Sequence, residues 1–175
     1  MKKIMRELLD YIVIFVIVIV LVWLMDSYLI VNAEIPSESM ENTIMIGDRI
    51  IGNRLAYKTG IPQRYDIIIF KFPDDESTLY IKRIIGLPGE TVTIRNGKVY
   101  INDSPEPLDD SVTPETPLGD FGPYTVPGDS YFVMGDNRNY SFDSRYWENT
   151  FVREDQILGK AAFCYFPFNR IGKIE

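Results

Sequence analysis

With 175 residues, the chain has room for one folded domain and an anchoring segment. Its 46% apolar and 13% aromatic content supports a packed core, and its net charge of −7 lacks the basic excess that nucleic-acid binders show. Cys164 is the single cysteine and there is no histidine, which removes disulfide frameworks, thiolate metal clusters, His-ligated zinc, Ser-His-Asp triads and Cys-His pairs together. A serine enzyme of this composition needs lysine or a carboxylate as its base.

The chain opens with Lys2, Lys3 and Arg6, followed beyond Asp10 by an apolar run from Tyr11 through Met25 that extends back over Leu8 and Leu9. Counted from Leu8, this run is roughly 18 residues, or about 27 Å as a helix, close to the hydrocarbon thickness of about 30 Å. Trp23 and Tyr28 suit an interfacial belt. Basic residues before the span, with Asp26, Glu34, Glu38 and Glu41 after it, predict a cytoplasmic N-terminus. The expected organisation is a cytoplasmic stub (1–7), a transmembrane anchor (8–30) and an extracytoplasmic β domain (31–175). Val31-Asn32-Ala33 has the small residues of a signal-peptide cleavage site and admits self-clipping before Glu34, but the apolar run exceeds the usual 7–15 or so residues of a removable leader.

Beyond residue 33 the helical period stops. Strands are expected over 48–52 and 65–72, with 73–77 as turn material and a further strand over 78–85. Thr91 to Ile101 predicts a hairpin, because Asn96-Gly97 supplies the two positive-φ residues of a type I′ turn. Residues 102–127, rich in Pro, Asp, Thr and Gly, read as an irregular surface excursion, and 130–134 and 157–168 supply the last strands.

Three patches carry chemistry. Pro36-Ser37-Glu38-Ser39-Met40 places two serines after a proline that fixes the backbone, suited to a nucleophile or to a polar linker. In Tyr80-Ile81-Lys82-Arg83-Ile84-Ile85, alternation sends Lys82 and Arg83 to opposite faces, so both cannot face inward. If the Tyr80, Lys82, Ile84 face is buried, desolvation favours the neutral amine and makes Lys82 a usable base; otherwise it snorkels from a sheet edge. Gly135-Asp136-Asn137-Arg138 running to Ser141, Asp143, Ser144 and Arg145 suits either a polar turn closed by an Asp143–Arg145 ion pair or a loop held by that pair whose Ser141 hydrogen-bonds the lysine amine.

Taken together and in this order, these blocks, with Arg64-Tyr65-Asp66-Ile67-Ile68-Ile69-Phe70 and Gly86-Leu87-Pro88-Gly89-Glu90, resemble the bacterial type I signal peptidases. With one span and a short excursion, the resemblance is to the Gram-positive form. It implies a mostly β fold in which a single N-terminal transmembrane helix precedes an antiparallel β-sheet or partly closed β-barrel catalytic domain. It implies Ser39 as nucleophile and Lys82 as general base. Ser37 would support the oxyanion, Ser141 would orient the lysine, and Asp143 with Arg145 would hold the loop. Ile35, Pro36, Met40, Ile44, Tyr80 and Ile81 would line pockets for small residues of signal peptides, selecting Ala-x-Ala sites in secreted preproteins. Partners would be those signal peptides and the lipid bilayer, with no nucleic acid, metal or cofactor. Glu38 stands where glycine is usual, Glu90 where aspartate is usual, and Asn139-Tyr140 where Asp-Asn is usual. The rival readings are a non-catalytic anchored binding module, a sortase-type transpeptidase, which would need cysteine with histidine, and a self-cleaving repressor, which would need a DNA-binding module.

Overall fold

The computed structural model describes residues 2–113 and 115–174, and the side chains of Lys2 and Lys3, part of the expected basic stub, lie outside the described residues. Helix α1 (Lys2–Tyr28) contains the stretch Ile4–Tyr28, long enough to cross a membrane and holding an 18-residue window of mean hydropathy 3.0. Its side chains are exposed on every side rather than along one stripe, as suits a helix surrounded by lipid. Leu29 donates to the Met25 carbonyl, and the chain passes directly into β1 (Ile30–Glu34).

The remaining elements are β2 (Arg49–Asn53), a one-turn helix α2 (Ala56–Thr59), β3 (Ile67–Phe72), β4 (Asp75–Gly86), β5 (Thr91–Arg95), β6 (Lys98–Ile101), β7 (Phe121–Thr125), β8 (Ser130–Met134), β9 (Val152–Arg153), β10 (Ile157–Phe166) and β11 (Gly172–Lys173). The main sheet is antiparallel, with order β1-β2-β10-β3-β4-β8-β9 and β11 on β10; a second sheet runs β6-β5-β7. The fold is therefore mostly β with one N-terminal apolar helix, and among the described residues no ladder joins β1 to β9 to close the main sheet. Asn96 and Gly97, at φ 49° and 74°, form the expected hairpin turn between β5 and β6.

β3 shows why the centre of the sheet reads as a continuous apolar run. Ile67 and Ile69 pack with Val31, Ile35, Met40, Ile44 and Ile81 on one face, and Ile68 and Phe70 pack with Ile84, Tyr131, Val133 and Trp147 on the other. Both faces are covered, so alternation with polar residues is lost. Each fully buried isoleucine contributes about 1.5–3 kcal/mol relative to exposure.

The structure changes several expectations. Residues 30–34 form the edge strand β1, with Ala33 opposite Ile50, so the Ser37–Ser39 segment follows a built element rather than a linker, and a cut after Ala33 would have to peel a strand from the sheet. The turn at 73–77 shrinks to Pro73 and Asp74, because the Asp75 carboxylate accepts from the Ser77 N–H and hydroxyl and from Thr78, starting β4 early. The excursion contains β7, paired with β5. Finally, Lys82 and Arg83 are both buried despite pointing to opposite faces, because β4 runs through the middle of a sheet covered on both sides.

Candidate active site

β4 has two halves. At Arg83 it is flanked by both β3 and β8, and beyond it by β8, whereas Asp75 to Lys82 pairs with β3 alone, leaving its other edge without a ladder among the described residues. Lys82 sits at the junction, 4% exposed. Its Nζ donates to Ser39 Oγ at 2.7 Å and to the Ile81 carbonyl at 3.0 Å, and lies 5.3 Å from the centre of the Tyr80 ring. Burial lowers its pKa from the ordinary 10.5 to about 8, with the carboxylates of Asp143 and Asp136 pulling the other way.

Ser39 lies in a tight run of turns in which Glu41 N–H donates to the Glu38 carbonyl and Ile44 N–H to the Met40 carbonyl. Met40, fully buried, plugs this segment into the core. Asn137 clamps the turn from outside: its N–H donates to the Ser39 carbonyl at 3.2 Å and its side-chain amide to the Glu38 carbonyl at 3.1 Å. Among the described residues the Ser39 N–H makes no hydrogen bond, so it remains available as a donor. The Ser37 and Ser39 hydroxyls stand 3.3 Å apart.

The loop after β8 supports both groups. Asp143 is completely buried and receives the Arg145 guanidinium at 2.8 and 2.9 Å, the Ser141 hydroxyl at 2.7 Å and the Gly135 N–H at 3.0 Å. The ion pair is thus the interior of the loop and not an exposed clasp. Ser141 gives its hydroxyl to Asp143; the acceptors of the Lys82 amine are Ser39 and Ile81. Gly135 must be glycine, since a Cβ there would run into the Ser39 carbonyl and the Ser141 side chain. Arg83, beside Lys82, donates to both Asp136 oxygens at 2.8 Å, and Asp136 also accepts from Thr43, tying the lysine strand to the serine turn.

Between residues 32–37 and 78–82 lies a cleft of about 510 Å³ that contains Ser37, Ser39 and Lys82. Of the expected pocket residues, Ile35, Pro36, Tyr80 and Ile81 line it, whereas Met40 and Ile44 are buried beneath it in the cluster that includes Ile35 and Ile81. The Tyr80 ring stacks on Phe72 at 4.5 Å, on the face of β4 opposite Ile81. Sequence reading missed Ile69, Leu79, Tyr140 and Phe142 in the lining, and Asn137 and the Arg83–Asp136 pair in the support. Two aromatics flanking a serine in an otherwise polar loop were the visible signal for Tyr140 and Phe142. A larger cavity of about 640 Å³, near Ser27, Arg54 and Asp155, contains none of the expected site residues.

Comparison with known proteins finds relatives of the whole chain. The family described as signal peptidase, peptidase S26, matches residues 8–166. A probable signal peptidase I-2 from Synechocystis sp. is 41% identical over 143 residues, covering 79% of this chain and 64% of that protein, so the chain spans just under two thirds of that relative's length. A signal peptidase I P from Bacillus subtilis subsp. natto is 35% identical over 178 residues, covering 97% of this chain and 95% of that protein. A crystal structure of a signal peptidase I from Enterococcus faecalis V583 is 38% identical, with a TM-score of 0.48 over 58% of this chain and 97% of that one.

Proposed function

The chain belongs to the signal peptidase family, peptidase S26, and on that premise we propose that it is a membrane-anchored serine endopeptidase that removes N-terminal signal peptides from secreted preproteins after small residues of Ala-x-Ala type. The observation that carries the reading is the 2.7 Å contact between Lys82 Nζ and Ser39 Oγ, made by a lysine almost wholly withdrawn from water. At pH 7 an ordinary lysine is essentially all protonated, whereas one titrating near 8 holds roughly a tenth of its population as the free amine. That amine accepts the Ser39 proton as Oγ attacks the scissile carbonyl. The tetrahedral oxyanion takes hydrogen bonds from the Ser39 N–H and the Ser37 hydroxyl, donors of a kind each worth about 3 kcal/mol in the transition state. The Lys82 ammonium then protonates the departing amine, leaving an ester on Ser39. Water, deprotonated by Lys82, hydrolyses that ester and releases the signal peptide.

Substrate selection follows from the walls. The free edge of β4 offers backbone groups to an extended peptide, which is recognition by strand addition. On the Ile35 and Ile81 side, Met40, Ile44 and Ile69 fill the space below, leaving depth for small side chains only. Asp143 holds the loop through Arg145 and Ser141, and the Lys82 amine is oriented by Ser39 and the Ile81 carbonyl. α1 anchors the domain with its N-terminus in the cytoplasm, keeping Ser39 near the outer membrane surface where a signal peptide ends.

Reconstituted in liposomes, the protein is expected to cut a preprotein bearing an Ala-x-Ala site immediately after the second alanine, as read by product mass, and Ser39→Ala is expected to leave it intact. A folded, inserted wild type that cuts nothing between about pH 6 and 10, a span bracketing the lowered and ordinary lysine pKa, would overturn the reading in favour of a binding module.

A further inference from the structure

The loop carrying Ser141 places two large side chains where water disfavours them. Tyr140 is 67% exposed and Phe142 is 52% exposed, and both line the cleft beside Ser39 and Lys82. Phe142 is held in position: its ring meets Phe72 at 6.2 Å and Trp147 at 6.4 Å edge to face, and Tyr146 stacks on it at 6.5 Å. Phe72 and Trp147 also pack on Tyr80. The ledge therefore belongs to the face of β4 that bears Tyr80 and Lys82, opposite the face of Ile81. An apolar patch left open, fixed in orientation and continuous with a catalytic cleft is a contact surface for whatever enters that cleft.

Strand alternation decides which part of the substrate meets it. A peptide laid along the free edge of β4 sends successive side chains to opposite faces. If the residues one and three before the cut enter the small-residue side formed by Ile35 and Ile81, the residue between them faces Tyr80. We propose that Tyr140 and Phe142, with Tyr80, form a subsite for the side chain two residues before the scissile bond, and that this subsite favours a large apolar or aromatic side chain there. The inference rests on the peptidase reading above and refines it: the middle position of the Ala-x-Ala site is selected and not merely tolerated.

The test uses the full-length protein in detergent and preproteins that differ only in the residue two before the cut, Gly, Ala, Leu or Phe. Wild type is expected to process the Phe substrate with a kcat/KM about tenfold above that for Gly, the low end of what apolar contacts discriminate because the ledge is half open. In Tyr140→Ala/Phe142→Ala that ratio is expected to fall within about twofold, whatever the absolute rates. Tyr140→Ala alone, at the most exposed ledge position, is expected to lower the ratio partway and carries the test should the double variant not fold. A wild-type ratio near one with cleavage intact would overturn the subsite and leave the peptidase reading standing. A wild-type preference unchanged in the variants would equally overturn it. Failure to cut any of the four would remove both.

Discussion

Replacing Lys82 with methionine is expected to lower kcat/KM on a preprotein by about three orders of magnitude, the range general-base groups supply, while making the protein more stable at neutral pH. The first effect follows from the 2.7 Å contact with Ser39, which no other described base shares. The second follows from linkage. The folded pKa of about 8 lies below the ordinary 10.5, so between these values the unfolded chain binds more protons and stability rises with pH. Below pH 8 the folded state carries the buried ammonium at its full cost, about 3 kcal/mol from that difference. Methionine keeps the apolar stem and removes the charge. Thermal melts at pH 7 should therefore show Lys82→Met above wild type, with the gap narrowing as pH rises from about 8 to the ordinary 10.5. A variant that is inactive and also less stable at pH 7 would mean that the lysine is a structural group instead of a strained base.

Asp143→Asn is the second large effect, and it acts on stability and titration together. The carboxylate is the partner of the buried Arg145 and accepts from Ser141 and Gly135 as well. Neutralising it leaves a buried guanidinium without its counter-charge, a loss of about 3 kcal/mol, or about 10 °C in Tm for a domain of this size. The same carboxylate raises the Lys82 pKa against the effect of burial. Its removal shifts the titration further below 8, so the activity of the surviving folded enzyme should rise at lower pH than in wild type. A Tm loss without that acid shift would confine Asp143 to a structural role.

Much of the fold could be read from local signals. The apolar helix, the Asn96-Gly97 hairpin and the β-branched or aromatic stretches of β2, β3, β8 and β10 are each visible locally. β1 was hidden because Ile30-Val31-Asn32-Ala33-Glu34 adjoins the apolar helix and is too short to declare a new period. β7 was hidden by Gly122 and Pro123, residues that argue against a strand and are tolerated here at a sheet edge. In the site, the candidate dyad came from ordered motifs, but the environment of Lys82 did not. Whether Lys82 and Arg83 can both be buried depends on layers contributed by residues 43–53 sequence positions away, at Ser39 and Asp136. Only the folded sheet shows that Arg83 has a buried carboxylate while Lys82 has a hydroxyl, and that burial lowers the Lys82 pKa.

The most direct test of the central claim is the pH dependence of kcat/KM for preprotein cleavage by the wild-type protein, followed from about pH 6 to 10, a span bracketing both the lowered and the ordinary lysine pKa. A buried Lys82 acting as general base predicts activity that climbs tenfold per unit at low pH and levels off above an apparent pKa of about 8. A rate still climbing toward the ordinary lysine value of 10.5 would contradict it, as would a profile flat across the range.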